Sequence, residues 1–168
     1  MNRFYILMIF VFSASLSACG EEIAYGTAFE NSQEAWVTAK AQHAASYRYE
    51  SEISSFTGYG ELTVITVDDD DVVRRRFASY EDLAFRANRL EAWVEEANEL
   101  GSHLSGGPVL TIDALYARCR ADILTVDPDE NEISFTVDQR GLLDTCTYVP
   151  KGCLDDCEEG VRISAIDF

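Results

Sequence analysis

Hydrophobic and polar positions alternate along two separate parts of the chain, and each part has the pattern of three strands. The first part covers residues 47–77 and is interrupted around Gly60 and at residues 68–71. The second covers residues 133–165 and is interrupted by a turn at 138–141 and by a loop that contains cysteines. Alternation with a period of two indicates half-buried strands. The pattern therefore predicts two antiparallel three-stranded meanders.

Segments before and between these meanders have a helical pattern. Residues 31–45 predict an N-terminal helix, while residues 79–101 and 111–119 predict two further helices with apolar stripes. The predicted order is one helix, three strands, two helices and three strands. Because the strands come in runs, we expect an α+β fold in which an antiparallel sheet packs on helices. A single domain would span residues 31–168.

Residues 1–18 form a compositional block of their own. Arg3 supplies a positive charge, residues 4–12 are apolar, and most of residues 13–18 are small. This arrangement is typical of a secretory signal peptide. The apolar run is too short for a transmembrane helix, which needs about 20 apolar residues. The alternative is a buried N-terminal helix or strand.

The block ends in Leu16-Ser17-Ala18-Cys19, which resembles a lipobox. The resemblance implies that the signal peptide is cleaved before Cys19 and that the thiol of Cys19 carries diacylglycerol, so that a lipid membrane is a partner. Ordinary cleavage near Ala18 is the alternative, and it would leave an unpaired cysteine. We expect residues 19–30 to form a tether. By resemblance to enteric lipoproteins, Gly20 favours the outer membrane, with the domain facing the periplasm.

The chain is strongly acidic, with 30 Asp and Glu residues against 13 Lys and Arg residues and a formal net charge of −17. Such a chain repels nucleic acid, so we expect no nucleic-acid partner. The charge is compatible with a solvated acidic surface or with a cationic partner.

Four cysteines follow Cys19, and an even number in an exported domain indicates two disulfides. They are Cys119, Cys146, Cys153 and Cys157. Four cysteines allow three connectivities, and a four-thiolate zinc site is a further alternative. Cys119 lies on the apolar face of a predicted helix and Cys146 on the apolar side of a predicted strand. These positions favour a Cys119–Cys146 bond and a Cys153–Cys157 bond.

Two charge clusters lie close together in the first meander. Asp68-Asp69-Asp70-Asp71 offers oxygen ligands for calcium but lacks the spacing of an EF-hand loop, so a solvated turn is the simpler interpretation. Arg74, Arg75 and Arg76 form the only basic cluster. It is a candidate partner-binding site, and the alternative is that it flanks the aspartate turn or protects an edge strand.

No motif for catalysis, for a metal or for a cofactor is recognisable. His43 and His103 are the only histidines, and the chain has no nucleophile elbow, zinc-protease motif or phosphate loop. We therefore expect a protein that is not an enzyme and that needs no cofactor.

Several short motifs resemble the bacterial family called domain of unknown function 6174. The matching residues are Trp36, Tyr47-Arg48-Tyr49, Leu62-Thr63-Val64, Asp71-Val72-Val73, Thr111-Ile112-Asp113-Ala114-Leu115-Tyr116, Ile133-Ser134-Phe135-Thr136-Val137-Asp138, Gly141 and Val161-Arg162-Ile163-Ser164. Members of the family often carry a Cys-x-Cys pair after the first strand, but residues 51–54 contain no cysteine. The resemblance implies the fold and the lipid anchor, and it implies no activity.

These observations predict a membrane-anchored lipoprotein that binds another protein or component of the cell envelope. A carrier that holds a small ligand near Trp36 and Trp93 is the first alternative. An enzyme of unrecognised type is the second. A deep apolar pocket would favour the carrier, whereas a flat apolar surface would favour the binding module.

Overall fold

The structure, a computed structural model, describes residues 23–168. The predicted signal peptide and Cys19 therefore lie outside the described residues. Within this range no helix is long and apolar enough to cross a membrane.

Residues 23–168 form two α-helices and seven strands. The helices are α1 (Gly26–Gln42) and α2 (Ile112–Arg118), and α2 continues into a π-helical turn at Cys119–Ile123. The strands are β1 (Tyr47–Ser54), β2 (Gly60–Asp68), β3 (Asp71–Asp82), β4 (Ala87–Glu96), β5 (Asn131–Val137), β6 (Leu143–Pro150) and β7 (Glu159–Asp167). A short 3₁₀ turn at Ala97–Glu99 follows β4.

All seven strands belong to one antiparallel sheet in the order β4-β3-β2-β1-β7-β6-β5. The prediction of two three-stranded meanders is therefore wrong. The first meander has four strands, and the pairing of β1 with β7, from Arg48↔Asp167 to Ser51↔Ile163, joins it to the second. This pairing connects residues far apart in sequence, so local alternation contains no signal for it.

The predicted helix at residues 79–101 is also wrong, because this segment completes β3 and forms β4. Phe77 lies opposite Trp93 in the β3–β4 ladder, and their rings stack with centroids 5.0 Å apart. Residues 79–101 are rich in alanine, glutamate and leucine, which favour a helix, but sheet pairing overrides such local preferences. The chain reverses at residues 83–86, where Arg86 has a positive φ of 49°.

Both helices pack on the same side of the sheet, which we call the inner face. Trp36 of α1 meets Tyr47 of β1 edge to face, with ring centroids 4.8 Å apart. The buried hydroxyl of Tyr116 in α2 lies 2.6 Å from Ser32 Oγ in α1 and accepts a hydrogen bond from the backbone N–H of Leu143. Helix α1 begins at Gly26, so it already includes residues 26–30, which the sequence assigned to the tether.

Residues 97–110 cover the remaining part of the inner face, over β2 to β4. The backbone N–H of Gly107 donates to Thr63 Oγ1 at 2.7 Å. Gly106 has a φ of 84°, and a Cβ at this position would lie 2.9 Å from the Phe77 ring, so only glycine fits without displacement. The opposite side of the sheet, the outer face, carries a small cluster of Leu62, Val64 and Leu83.

Candidate partner-binding groove

Arg74, Arg75 and Arg76 do not form one cluster in the structure. They are consecutive residues of β3, so their side chains alternate between the two faces of the sheet. Arg74 pairs on the outer face with Glu96 at 3.0 Å, in an exposed ion pair. Arg75 points to the inner face and is only 3% exposed. Arg76 lies on the outer face, where it lines a groove.

Arg75 forms a buried ion pair with Glu95 of β4. Its Nε and Nη2 atoms donate to the two carboxylate oxygens, each at 2.8 Å. Its remaining donors reach the loop, with Nη1 bound to the carbonyl oxygen of Gly107 and Nη2 to that of His103. The guanidinium also lies over the Trp93 ring, 4.7 Å from its centroid. Arg75 therefore ties residues 97–110 to the sheet and is unavailable to a partner.

Glu95 is fully buried and collects donors from the same loop. Its oxygens accept from the backbone N–H groups of Gly101 and His103, each at 2.7 Å, and from Ser102 Oγ at 3.1 Å. Hydrogen bonding to Arg75 is the largest of the influences that hold the pKa of Glu95 well below its usual range, although burial opposes it. This carboxylate is ionised and accepts several hydrogen bonds, so its role is to hold residues 97–110 against the sheet.

The groove lies on the outer face of β2, β3 and β4 and has a volume of about 310 Å³. Its apolar floor consists of Leu62, Val64, Ala78, Tyr80, Ala92 and Val94. Three arginines line it: Arg76 from the middle of β3, Arg86 from the β3–β4 turn, and Arg89 from β4. We call it the arginine-rimmed groove. No helix of residues 23–168 packs on this face, since α1 and α2 both lie on the inner one.

The three arginines of the groove differ in their partners. Arg86 binds Glu50 of β1, with Nη2 and Oε2 3.1 Å apart. Among residues 23–168, neither Arg76 nor Arg89 makes an ion pair or a side-chain hydrogen bond, and both are exposed. Both lack an acidic partner within this range although the formal charge of the chain is −17. They can meet carboxylate or phosphate groups through charge-assisted hydrogen bonds.

The two histidines have separate environments. His43 stacks on Phe168, with ring centroids 4.3 Å apart. His103 stacks on Trp93 at 4.2 Å, and its Nδ1 lies 2.9 Å from Glu95 Oε1. Each is engaged by an aromatic ring, and the structure does not bring the two together with a nucleophile.

The aspartate cluster forms the turn between β2 and β3. Asp69 and Asp70 have positive φ values, Asp70 pairs with Lys40 at 3.0 Å, and Asp68 accepts from Ser46 Oγ at 2.8 Å. No group of three or more potential metal ligands occurs within the described range, 23–168. The aspartates therefore point to different protein partners.

The cysteines form two pairs at disulfide distance. Cys119 and Cys146 join the end of α2 to β6 across the core, with Cα atoms 6.0 Å apart. Cys153 and Cys157 pair within the β6–β7 loop, with Cα atoms 6.3 Å apart. This is the pairing that the apolar faces of the helix and strand favoured.

Two other concave regions differ from the groove. An apolar cavity beside the Cys119–Cys146 bond holds only about 50 Å³. A depression of about 690 Å³ along α1 is wide open and is lined by mixed polar and apolar residues, among them His43 and Phe168. Neither contains an arginine without an acidic partner, since Arg140 of the depression pairs with Asp138 and Arg118 of the cavity pairs with Asp122.

Arg86 and Arg89 are absent from the predicted site, because the helical pattern of residues 79–101 placed both in a helix. The signal that could have found them is the alternation of Glu91, Trp93 and Glu95 with smaller residues, which continues the strand pattern of β3. Comparison of the chain with protein-family models, curated proteins and solved structures finds no match.

Proposed function

We propose that this chain is a lipid-anchored protein of the cell envelope that binds an acidic segment of another envelope protein in the arginine-rimmed groove. The observation that carries the proposal is the pair of unpaired arginines, Arg76 and Arg89, beside an apolar floor on the uncovered face of the sheet. The signal-peptide pattern and the lipobox-like end at Cys19 support lipid attachment, and Gly20 favours the outer membrane with the domain facing the periplasm.

The shape of the groove favours a macromolecular partner over a carried small ligand. Small-ligand sites are usually concave pockets of about 300–1,000 Å³ that bury most of the ligand. The enclosed apolar cavity of this domain is far smaller, at about 50 Å³. The arginine-rimmed groove has the volume but is open along the sheet, so a ligand there stays exposed on one side. A groove of this kind favours a macromolecular partner, because the rest of the partner can cover the exposed side of the bound segment.

The charge of the chain adds selectivity. Salt screens interactions between exposed charges over about 8 Å at physiological ionic strength, so a bound acidic group senses the adjacent arginines more than distant carboxylates. Elsewhere on this chain of formal charge −17, an acidic partner meets repulsion. The groove is thus a place where such a partner is attracted, and charge placement directs it there.

The test measures binding of a defined acidic peptide to the full-length lipidated protein in non-ionic detergent. The probe is a fluorescein-labelled heptapeptide, Ser-Glu-Thr-Val-Thr-Glu-Ser, and its control replaces both glutamates by glutamine. We expect the acidic peptide to bind at least about tenfold more tightly than its control in fluorescence anisotropy, and to lose this advantage at high salt. Equal binding of the two peptides, or no binding, would reject the proposal.

A pair of protein variants separates the groove from bulk charge. The variant Arg76→Glu with Arg89→Glu reverses the unpaired arginines, and we expect it to weaken acidic-peptide binding by at least about tenfold. The matched variant, Arg118→Glu with Arg120→Glu, makes the same change in net charge at exposed positions in and after α2. It should bind within about twofold of the unaltered protein. Equal losses in both variants would mean that net charge governs binding, which would remove the groove from the site. Circular dichroism checks that both variants fold.

A further inference from the structure

The two edges of the sheet differ in how they are protected. At the β5 edge, Tyr25 lies over the strand, donates its hydroxyl hydrogen to the carbonyl oxygen of Ile133 and packs against Phe135. At the β4 edge, no backbone group of Ala87–Glu96 has a partner outside the β3–β4 ladder among the described residues. An edge strand exposes the N–H and C=O groups of every second residue, which can pair with another strand. The β4 edge is therefore open over ten residues.

From this difference we infer that the acidic segment binds as an additional strand on the open edge of β4, with its carboxylates directed to Arg76 and Arg89. The inference rests on the proposed function, which supplies the acidic partner. It adds the backbone conformation of that partner and the spacing of its acidic residues. Strand addition provides main-chain hydrogen bonds, and the side chains that face the groove provide selectivity.

The register of the sheet sets the spacing of the acidic residues. Arg76 lies opposite Val94 and Arg89 lies opposite Tyr80, and a register shift between these pairs makes the span four residues on β3 and five on β4. Positions 76 and 80 are four residues apart along β3, which corresponds to about 13 Å in an extended strand. Side chains at positions i and i+4 of an added strand share one face and have the same separation. The partner thus carries acidic residues four positions apart, with an apolar residue midway over the floor of the groove.

The outer face of β4 leaves room for these contacts. Arg76 is on β3, so one strand separates it from the added strand, a distance of about 10 Å between backbones. Between Arg89 and Glu96, the β4 residues on that side of the sheet are Ala92 and Val94, and their short side chains do not block an arginine and a glutamate that reach towards each other. Leu90 and Val94 of β4 are 56% and 42% exposed, which gives an added strand apolar surface to cover.

A second copy of this chain fits the edge less well than an acidic peptide. If β4 paired with β4 of another molecule, each strand would bring its own arginine, Arg89, to a surface that already carries Arg76 and Arg86. Two molecules with a formal charge of −17 each would also repel one another on approach. The unpaired arginines favour binding of carboxylates, so the proposed occupant of the β4 edge is an acidic segment of another protein.

The test places methyl groups on selected backbone nitrogens of the heptapeptide Ser-Glu-Thr-Val-Thr-Glu-Ser. N-methylation at both threonines blocks the hydrogen bonds of one edge, and N-methylation at the two glutamates and valine blocks those of the other edge. A peptide that adds to β4 uses one edge only. We therefore expect one methylated peptide to bind at least about tenfold more weakly than the parent and the other to bind within about threefold of it. Equal affinities of the two methylated peptides overturn strand addition.

Two further measurements use the same full-length lipidated protein. A peptide whose glutamates are three positions apart presents them on opposite faces, and we expect it to bind at least about tenfold more weakly than the parent. Hydrogen exchange should slow by at least about tenfold at alternate amides of Ala87–Glu96 when the parent peptide is bound. Unchanged exchange in β4 would reject the added strand. Tight binding of the parent peptide with unchanged exchange would leave the proposed function standing, whereas absence of parent binding would reject both.

Discussion

The buried ion pair between Arg75 and Glu95 makes a quantitative prediction about stability. The substitution Glu95→Gln keeps the size of the side chain but removes the charge and replaces one acceptor oxygen by an NH2 donor. If the amide nitrogen takes the place of Oε2, it faces the Nε donor of Arg75 and the N–H of Gly101, so two hydrogen bonds are lost. In the opposite orientation it faces the Oε1 donors, which include Arg75 Nη2 and the N–H of His103.

Both orientations leave the Arg75 guanidinium buried without a counter-charge. Breaking a buried ion pair by removal of one partner costs about 3–5 kcal/mol. For a domain of this size each kcal/mol lowers Tm by about 2–4 °C, so we expect a Tm about 10 °C lower. The assay is urea and thermal unfolding followed by circular dichroism. The matched control is Glu96→Gln, which breaks the neighbouring pair with Arg74, whose side chains are 62% and 49% exposed. This control should cost less than about 1 kcal/mol.

The effect of Glu95→Gln also depends on pH. Because Arg75 holds the pKa of Glu95 below its usual range in the folded state, the carboxylate stabilises the fold fully above the pKa of an unfolded glutamate, about 4.3. That contribution is lost as pH falls further, through the depressed folded-state pKa. The stability difference between the unaltered protein and Glu95→Gln should therefore be constant near pH 7 and shrink below about pH 4. Equal losses for Glu95→Gln and Glu96→Gln at pH 7 would refute the reasoning.

Three further predictions address the anchor and the core. Cys19→Ala should abolish metabolic labelling by a palmitate analogue, and acyl label that remained would contradict a lipid anchor at this residue. Replacing Cys119 and Cys146 together by alanine opens a loop with a sequence separation of 27 and should lower the free energy of unfolding by about 3–4 kcal/mol, measured in urea; a loss below about 1 kcal/mol would mean that the bond is not formed. Tyr116→Phe removes the hydroxyl that accepts from the N–H of Leu143 and should cost about 1–3 kcal/mol, whereas a neutral result would show that this bond is dispensable.

Individual strands could be predicted from local pattern, although their arrangement in one seven-stranded sheet could not. The alternation placed β1, β2 and most of β3, as well as β5 to β7, and it placed the turn at the aspartates. The helix predicted at residues 111–119 is present as α2, and Thr111 caps it, since its Oγ1 accepts from the N–H of Ala114 at 3.2 Å. These features depend on residues close in sequence, which is why they can be predicted from one sequence.

Features that depend on distant residues could not be predicted. β4 has a helix-like composition, and only its ladder with β3 makes it a strand. The arginine cluster was recognised as a candidate, but the prediction treated three adjacent residues as one surface. In a strand such residues face opposite sides, so Arg75 became part of the buried interior while Arg76 joined Arg89. Knowledge of β4 would have been needed to bring Arg89 into the same site.

The pairing of β1 with β7 has a consequence for the order of folding. β7 ends at Asp167, and its partner β1 begins at Tyr47, soon after the first helix. The sheet therefore cannot be completed until residues 163–167 are available, because its central ladder joins them to residues 48–51 and closes a long loop. If the chain is exported as proposed, N-terminus first, β1 crosses the membrane before β7 and the two strands cannot yet be paired. Removal of residues 163–167 would delete the ladder between the two halves of the sheet, whereas removal of an edge strand would leave both halves joined.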